Sequence, residues 1–254
     1  MSTVPFHVII PARFGASRLP GKPLLDVAGR PLIQWVWDCA RASGAASVIV
    51  ATDDARIRSV AAGFGADVAM TSVEHASGTD RIAEVARARG LSPEAIVINL
   101  QGDEPLMPPS VPARVAAALL EHPESGIATA AAPMSSLAEF LDPSCVKVLR
   151  SLSGEALYFS RASVPWPRDA ATAGRPGDFR HAFRHIGIYG YRVKSLLEFA
   201  GWPPTPLETT ERLEQLRALE HGMRIHVVAL QEAPPAGVDT PEDLEAVRAR
   251  LRAR

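Results

Sequence analysis

Residues 11–24, PARFGASRLPGKPL, place Arg13, Arg18 and Lys22 in one short stretch without an acid, directly after the apolar run HVII. Three cations among small residues suit a strongly anionic ligand. Gly15, Ala16, Ser17 and Gly21 let backbone N–H groups come close to a polyphosphate while the cations neutralise it. The stretch is not a Walker A loop: five residues separate Gly15 from Gly21, and Pro23 follows Lys22 where Ser or Thr would stand. It holds no G-x-G-x-x-G either, so a Rossmann dinucleotide site has no support. Charge and glycine alone leave a solvated basic turn as the competing reading.

Two acidic corners could complement these cations. NLQGDEP, residues 99–105, sets Gln101, Asp103 and Glu104 just past an apolar run, where α/β proteins bind ligands. Asp103 or Glu104 suits a hard cation such as Mg²⁺, which takes carboxylate and phosphate oxygens. The alternative is a turn at Gly102-Asp103 with Glu104 facing water. In GVDTPEDLEAV, residues 237–247, Asp239 precedes Thr240, Pro241, Glu242 and Asp243, and by itself reads first as a helix cap.

The elements that must position these residues are legible as alternating patterns. HVII (7–10), SVIVAT (47–52), DVAMT (67–71) and AIVINL (95–100) are continuous apolar runs, as expected of parallel strands covered on both faces. Between them, Pro31 suits a first helical position ahead of the apolar face Leu32, Ile33, Val36, Trp37 and Ala40. Residues 54–64 and 78–89 also read as helices, the second capped by Ser77 or Thr79. The alternation predicts an α/β fold with a doubly wound, mostly parallel sheet. Residues 127–193 differ, with the strand-like runs IATAAAP, CVKVLRS, EALYFSR and FRHIGIYGYRV, and PWPRDAATAGRPGDFR (165–180) reads as a loop. A helix near 208–221, a strand at 224–231 and a helix at 241–253 restore the α/β pattern. The expectation is one domain over 1–254 with a β-rich inserted segment at about 127–193.

Bulk properties narrow the function. With 27 basic and 28 acidic residues in 254, the chain has no global field for nucleic acid or a membrane surface. Any anion must be held by local clusters. Cys39 and Cys145 lie far apart without metal-ligand spacing, which suggests a reducing compartment. The N-terminal apolar run is too short for a signal peptide and no 18-residue apolar span occurs, so a soluble cytoplasmic protein is expected.

The blocks VIIPAR, RLPGKPL, SGTDR, VINLQGDEP, ALYFSRASVPW, RHIGIYGYR, PLETTERLEQLRAL and GVDTPEDLE follow one another across nearly the whole chain. In them the sequence resembles the 3-deoxy-manno-octulosonate cytidylyltransferases, the CMP-Kdo synthetases of Gram-negative lipopolysaccharide biosynthesis. The resemblance implies a Rossmann-like fold of the nucleotide-diphospho-sugar transferase type and the reaction CTP + Kdo → CMP-Kdo + pyrophosphate. It implies that Arg13, Ser17, Arg18 and Lys22 grip the CTP triphosphate, with Ser77, Gly78 and Arg81 near the cytosine. Asp103 and Asp239 would bind Mg²⁺, and with Arg13 and Lys22 would carry the catalysis. Gln101 would touch both substrates, and the Kdo pocket would draw further on Arg161, His185, Tyr189, Glu214 and Gln215, with Arg168 on the 165–180 loop. Asp80 stands where Glu is common in the family.

Each of these positions has a structural alternative. His185 and Tyr189, four apart in an alternating strand, share a face that could simply be core. Arg161 could pair with a structural acid, and Glu214-Gln215 on an amphipathic helix would ordinarily be solvated. The acceptor could also be a related sugar acid, 8-amino-Kdo or sialic acid. A catalytically silent nucleotide-binding regulator is disfavoured by the presence of both Asp103 and Asp239. The resemblance further implies a homodimer, with the β-rich middle segment as its expected interface.

Overall fold

A computed structural model describes residues 5–15, 19–168, 179 and 181–252. Its centre is strand β1 (Phe6–Ala12), in which Val8, Ile9 and Ile10 are fully buried. Such a run needs cover on both faces. Val8 and Ile10 enter one core, and Ile9 enters a second on the opposite face. A 3-10 turn (Lys22–Leu24), a small hairpin β2 (Asp26–Val27) and β3 (Arg30–Pro31), and helix α1 (Leu32–Ala42) follow β1. Then come β4 (Ser47–Thr52), α2 (Ala55–Gly63), β5 (Asp67–Met70), α3 (Gly78–Ala88), β6 (Ile96–Asn99) and α4 (Ser110–Glu121). Helices α1, α2 and α4 pack on the Val8/Ile10 face. Helix α3 packs on the Ile9 face with the later helix Val193–Gly201. The sheet is therefore wound on both sides, as the alternating pattern predicts.

The middle of the chain contributes β7 (Ile127–Pro133), the short α5 (Leu137–Leu141), β8 (Lys147–Arg150), β9 (Ala156–Ser160) and β10 (Phe183–Arg192), with β11 (Ile225–Ala229) later. The main row of the sheet runs β11-β7-β10-β6-β1-β4-β5, and β8 and β9 attach beside β10. Six strands of that row point one way; β10 alone is reversed, antiparallel to both β6 and β7. The segment 127–193 is thus rich in strands, and its two ends, β7 and β10, lie within the main sheet. Only the β8–β9 hairpin projects from the row.

Two local expectations change and a third is left untested. Helix α1 begins at Leu32, so Pro31 sits at its N-cap with extended backbone (ψ 143°) rather than at the first helical position. The helix expected near 208–221 is two short ones, Pro206–Glu211 and Gln215–Glu220, broken where Arg212 adopts a left-handed φ of 54°. The loop expected at 165–180 falls mostly on residues 169–178 and 180, outside the described residues. At the C-terminus, helix Pro241–Arg252 packs Leu244, Val247 and Leu251 against Val27 of β2 and Leu32 of α1. That packing returns residues 237–240 to the carboxyl end of β1. Among the described residues no helix is long and apolar enough to cross a membrane.

Candidate functional site

Three loops meet beyond the carboxyl ends of β1 and β6, and Lys22 joins them. Gly21, at φ +69°, takes a left-handed turn that a side chain would resist, and its carbonyl accepts from Leu24 N to close the 3-10 turn. The turn presents Lys22, whose Nζ donates to Asp103 Oδ2 at 2.6 Å, Val238 O at 2.8 Å and Asp239 Oδ1 at 3.2 Å. One ammonium therefore draws together segments 81 and 217 residues away in sequence. The backbone supports the same junction, because Val238 N donates to Asp103 O at 2.8 Å. Gly102 makes the approach of β6 to β1 possible, since a Cβ there would lie 2.9 Å from Pro11 O.

Asp239 is not a helix cap here. Thr240 and Asp243 cap the last helix reciprocally: Asp243 N donates to Thr240 Oγ1, and Asp243 Oδ2 accepts from Thr240 N and Asp239 N. This leaves the Asp239 carboxylate to face Lys22. Asp243→Ala is expected to lower stability by about 1 kcal/mol through loss of this cap. Denaturant unfolding measures it, and an unchanged midpoint would contradict it.

The junction forms one side of a cavity of about 300 Å³, and the start of α3 forms the other. Arg13, Lys22, Gln101, Asp103 and Asp239 line it from the loops, and Ser77, Gly78 and Arg81 from the helix. Ser17 and Arg18 lie outside the described residues. Ser77 caps α3 and Asp80 completes the box, accepting from Ser77 N while Ser77 Oγ accepts from Asp80 N. Asp80, one carbon shorter than Glu, still closes this cap. Arg81 is 3% exposed; it donates to Asp53 Oδ2 at 2.7 Å and to Thr71 Oγ1, which fixes it as part of the wall. Gln101 donates through Nε2 to the buried Asn99 at 3.2 Å.

Two further residues belong to this region. His75 lines the cavity and its Nε2 meets Glu84 Oε2. Its place in EHASGTD, just before the helix cap, is the signal that could have marked it. Glu104 is half-buried, with its Oε1 packed against Gly237, where a Cβ would lie 2.9 Å away. Burial, with the Asp103 charge beside it, pushes its carboxyl up to about 7. A half-buried third carboxyl thus stands beside Asp103.

The other expected residues gather elsewhere. His185 and Tyr189 share a face, with ring centroids 5.4 Å apart. A bulge between Ile186 and Tyr189 opposes three steps of β10 to one of β7, an even surplus that keeps the two side chains in phase. His185 stands edge-on to Phe159 at 5.1 Å, and burial pushes its imidazole down to about 3, so it is neutral. Thr129 Oγ1 lies 2.8 Å from Ile188 O and 3.0 Å from His185 Nε2, and the ring tautomer sets whether Thr129 or His185 donates in the second contact. Burial raises the Tyr189 phenol, helped by Tyr191 and Glu214.

Glu214 stands at a helix N-cap with its side chain 32% exposed, and it does not line the cavity at Lys22. Its Oε2 accepts from Thr79 Oγ1 at 2.7 Å, its Oε1 is buried without a hydrogen-bond donor, and burial raises its carboxyl above the usual range. The left-handed turn at Arg212 separates it from Glu211, which serves another purpose. Glu211 accepts from Ser160 Oγ at 2.6 Å and Arg161 N at 2.9 Å, while Arg161 Nε and Nη1 donate to the carbonyls of Glu211 and Pro143. Arg161 is thus anchored at the end of β9 with Nη2 left over. Gln215 is 6% exposed on the next short helix. Arg168 is exposed, beside the residues that are not described. These six residues do not line the cavity at Lys22.

The chemistry available follows from the donors. Arg13, Lys22 and the N-terminus of α3 favour phosphate. Asp103 and Asp239 converge on a single cationic nitrogen with oxygen donors only, so they fit a hard divalent cation.

A cytidylyltransferase family model matches residues 7–225. The 3-deoxy-manno-octulosonate cytidylyltransferase of Pseudomonas syringae pv. tomato is 55% identical over 254 residues, 99% of this chain and 100% of that protein. Its counterpart in Pseudomonas fluorescens is 55% identical over 251 residues, 98% of each. A solved CMP:2-keto-3-deoxy-manno-octonic acid synthetase complexed with CTP superposes with a TM-score of 0.89 at 41% identity, covering 98% of this chain and 99% of the other. A cytidylyltransferase from Leptospira borgpetersenii has a TM-score of 0.62 at 15% identity over 98% and 87%, a likeness of fold alone.

Proposed function

The chain belongs to the 3-deoxy-manno-octulosonate cytidylyltransferase family, and from that premise we propose how its residues carry out the reaction. The protein transfers CMP from CTP to the anomeric hydroxyl of Kdo, giving CMP-Kdo and pyrophosphate for lipopolysaccharide biosynthesis. The observation that carries the assignment of residues is the meeting of Lys22, Asp103 and Asp239 opposite the capped start of α3, across one cavity.

The sugar hydroxyl attacks the α-phosphorus in line and pyrophosphate leaves, a reaction that needs position and charge neutralisation more than covalent help. Arg13 and Lys22 offset the charge growing on the departing pyrophosphate, with Ser17 and Arg18 of the same loop assigned there by family resemblance. Ser77, Gly78 and Arg81 form the wall for the cytosine nucleoside. Asp103 and Asp239 would hold Mg²⁺, which would neutralise phosphate charge and make the attacking hydroxyl more acidic. On the sugar side, Arg161 Nη2 suits the Kdo carboxylate. The buried Glu214 Oε1 and the unprotonated nitrogen of His185 accept from hydroxyls, with Gln101, Tyr189, Gln215 and Arg168 completing the pocket.

A homodimer through the β-rich middle is part of the same reading. Its support is that this segment carries the exposed apolar side chains Leu141, Leu152, Leu157 and Trp166. A cytoplasmic location is likewise proposed, where CTP is made available. Acceptor choice is tested by measuring kcat/KM for CMP-sugar formation with Kdo, 8-amino-Kdo and sialic acid. The highest value is expected for Kdo; a higher value for another acid would move the substrate and keep the chemistry.

A further inference from the structure

We infer that Thr79 is a positioning residue that fixes the sugar-facing carboxylate of Glu214 from the nucleotide wall, so that one hydroxyl ties the two substrate sites together. The inference rests on the reading of Glu214 as a Kdo ligand. Thr79 is 2% exposed and lies in the first turn of α3, between Gly78 and Arg81, which line the nucleotide cavity. Helices use hydroxyls in that turn to satisfy their own free N–H groups. Here that task is already met by the reciprocal Ser77–Asp80 cap. The Thr79 hydroxyl is therefore not needed by its own helix; it reaches across 135 residues of sequence to Glu214 Oε2 at 2.7 Å, with the Tyr191 phenol also within its reach.

Glu214 has few partners: besides Thr79, the Ser77 hydroxyl reaches its carboxylate and Arg217 lies near it. It follows the left-handed break at Arg212 and stands at the N-cap of the helix Gln215–Glu220 without a side-chain cap bond of its own. The nearby Arg217 is 3.8 Å from Oε1 but is committed through Nε and Nη2 to both oxygens of Glu208. With Oε2 engaged, Oε1 is buried as an acceptor without a donor. A buried acceptor of this kind is costly unless something completes it. A hydroxyl of a polyhydroxylated acid would do so. Thr79, with Ser77 beside it, thus leaves Oε1 for the sugar.

The test uses Thr79→Val, which keeps shape and removes the donor, Thr79→Ser, which restores it, and Glu214→Gln. Thr79→Val is expected to raise KM for Kdo about tenfold and to leave KM for CTP within about twofold. Thr79→Ser should return KM for Kdo to near the parent value, and the Thr79→Val/Glu214→Gln pair should be no worse than Glu214→Gln alone. Thermal melting of each variant monitors folding. A purely structural role would raise both KM values together or lower kcat and melting temperature without the split, and that outcome overturns the inference. A raised KM for Kdo in Glu214→Gln with none in Thr79→Val overturns the inference alone. No change in Glu214→Gln overturns the Kdo-ligand reading and the inference with it.

Discussion

Asp103→Asn lowers turnover of CTP and Kdo by about 10³-fold, on the order of 4 kcal/mol of transition-state stabilisation, while the melting profile stays close to the parent. The substitution keeps the shape of a side chain that is 30% exposed, accepts from Lys22 at 2.6 Å and sits at the end of a strand already fixed by β1 and β10. What it removes is one negative charge of a converging pair. A neutral amide binds a hard cation far less well than a carboxylate does. Asp239→Asn behaves similarly, because the Thr240–Asp243 cap holds the helix without the Asp239 carboxylate. Steady-state rates over a range of Mg²⁺ concentrations, with thermal melting as the folding control, measure both. A normal rate at ordinary Mg²⁺ would remove the residue from the metal site.

Lys22→Met produces the second large effect, a rise of about 10²-fold in KM for CTP with slower release of pyrophosphate. The ammonium is 14% exposed and holds three oxygens from two distant loops, so it is a fixed charge of the cavity and not a solvated surface lysine. Methionine fills the stem's volume without the charge. In the parent protein the ammonium also competes with any divalent cation for Asp103 and Asp239. Without nucleotide, Lys22→Met should therefore bind Mn²⁺ more tightly, read by electron paramagnetic resonance of the free ion. Unchanged CTP kinetics would take Lys22 out of the phosphate site, and unchanged Mn²⁺ affinity would show that it does not occupy the cation position.

Strands β1, β4 and β6 were legible because buried parallel strands are written as unbroken apolar runs bounded by polar loops; β5 was read the same way but lies at the sheet's edge, half-exposed. The reversal of β10 was not, since an apolar run carries no direction and its neighbours are set by tertiary packing. The break at Arg212 escaped for a related reason: a left-handed turn is ordinarily marked by Gly or Asn, and here an arginine adopts it. At the site, the chemistry of the Arg13–Lys22 loop and the NLQGDEP corner could be read from residue types. Asp239 could not be separated from a cap until Thr240 and Asp243 were seen to do that work. Which cation faces which carboxylate depends on Lys22 reaching across 217 positions, and the Thr79–Glu214 bond spans 135. Contacts of that separation leave no local pattern.

The central claim is that this cleft transfers CMP to Kdo with the help of a divalent cation. It is tested most directly by pyrophosphate release from the purified protein with CTP, Kdo and Mg²⁺, beside controls without sugar and with EDTA. Release is expected to need all three components and to stop with EDTA. Release that persists without Kdo or in EDTA, or silence with Kdo and every related acid despite tight CTP binding, would contradict it.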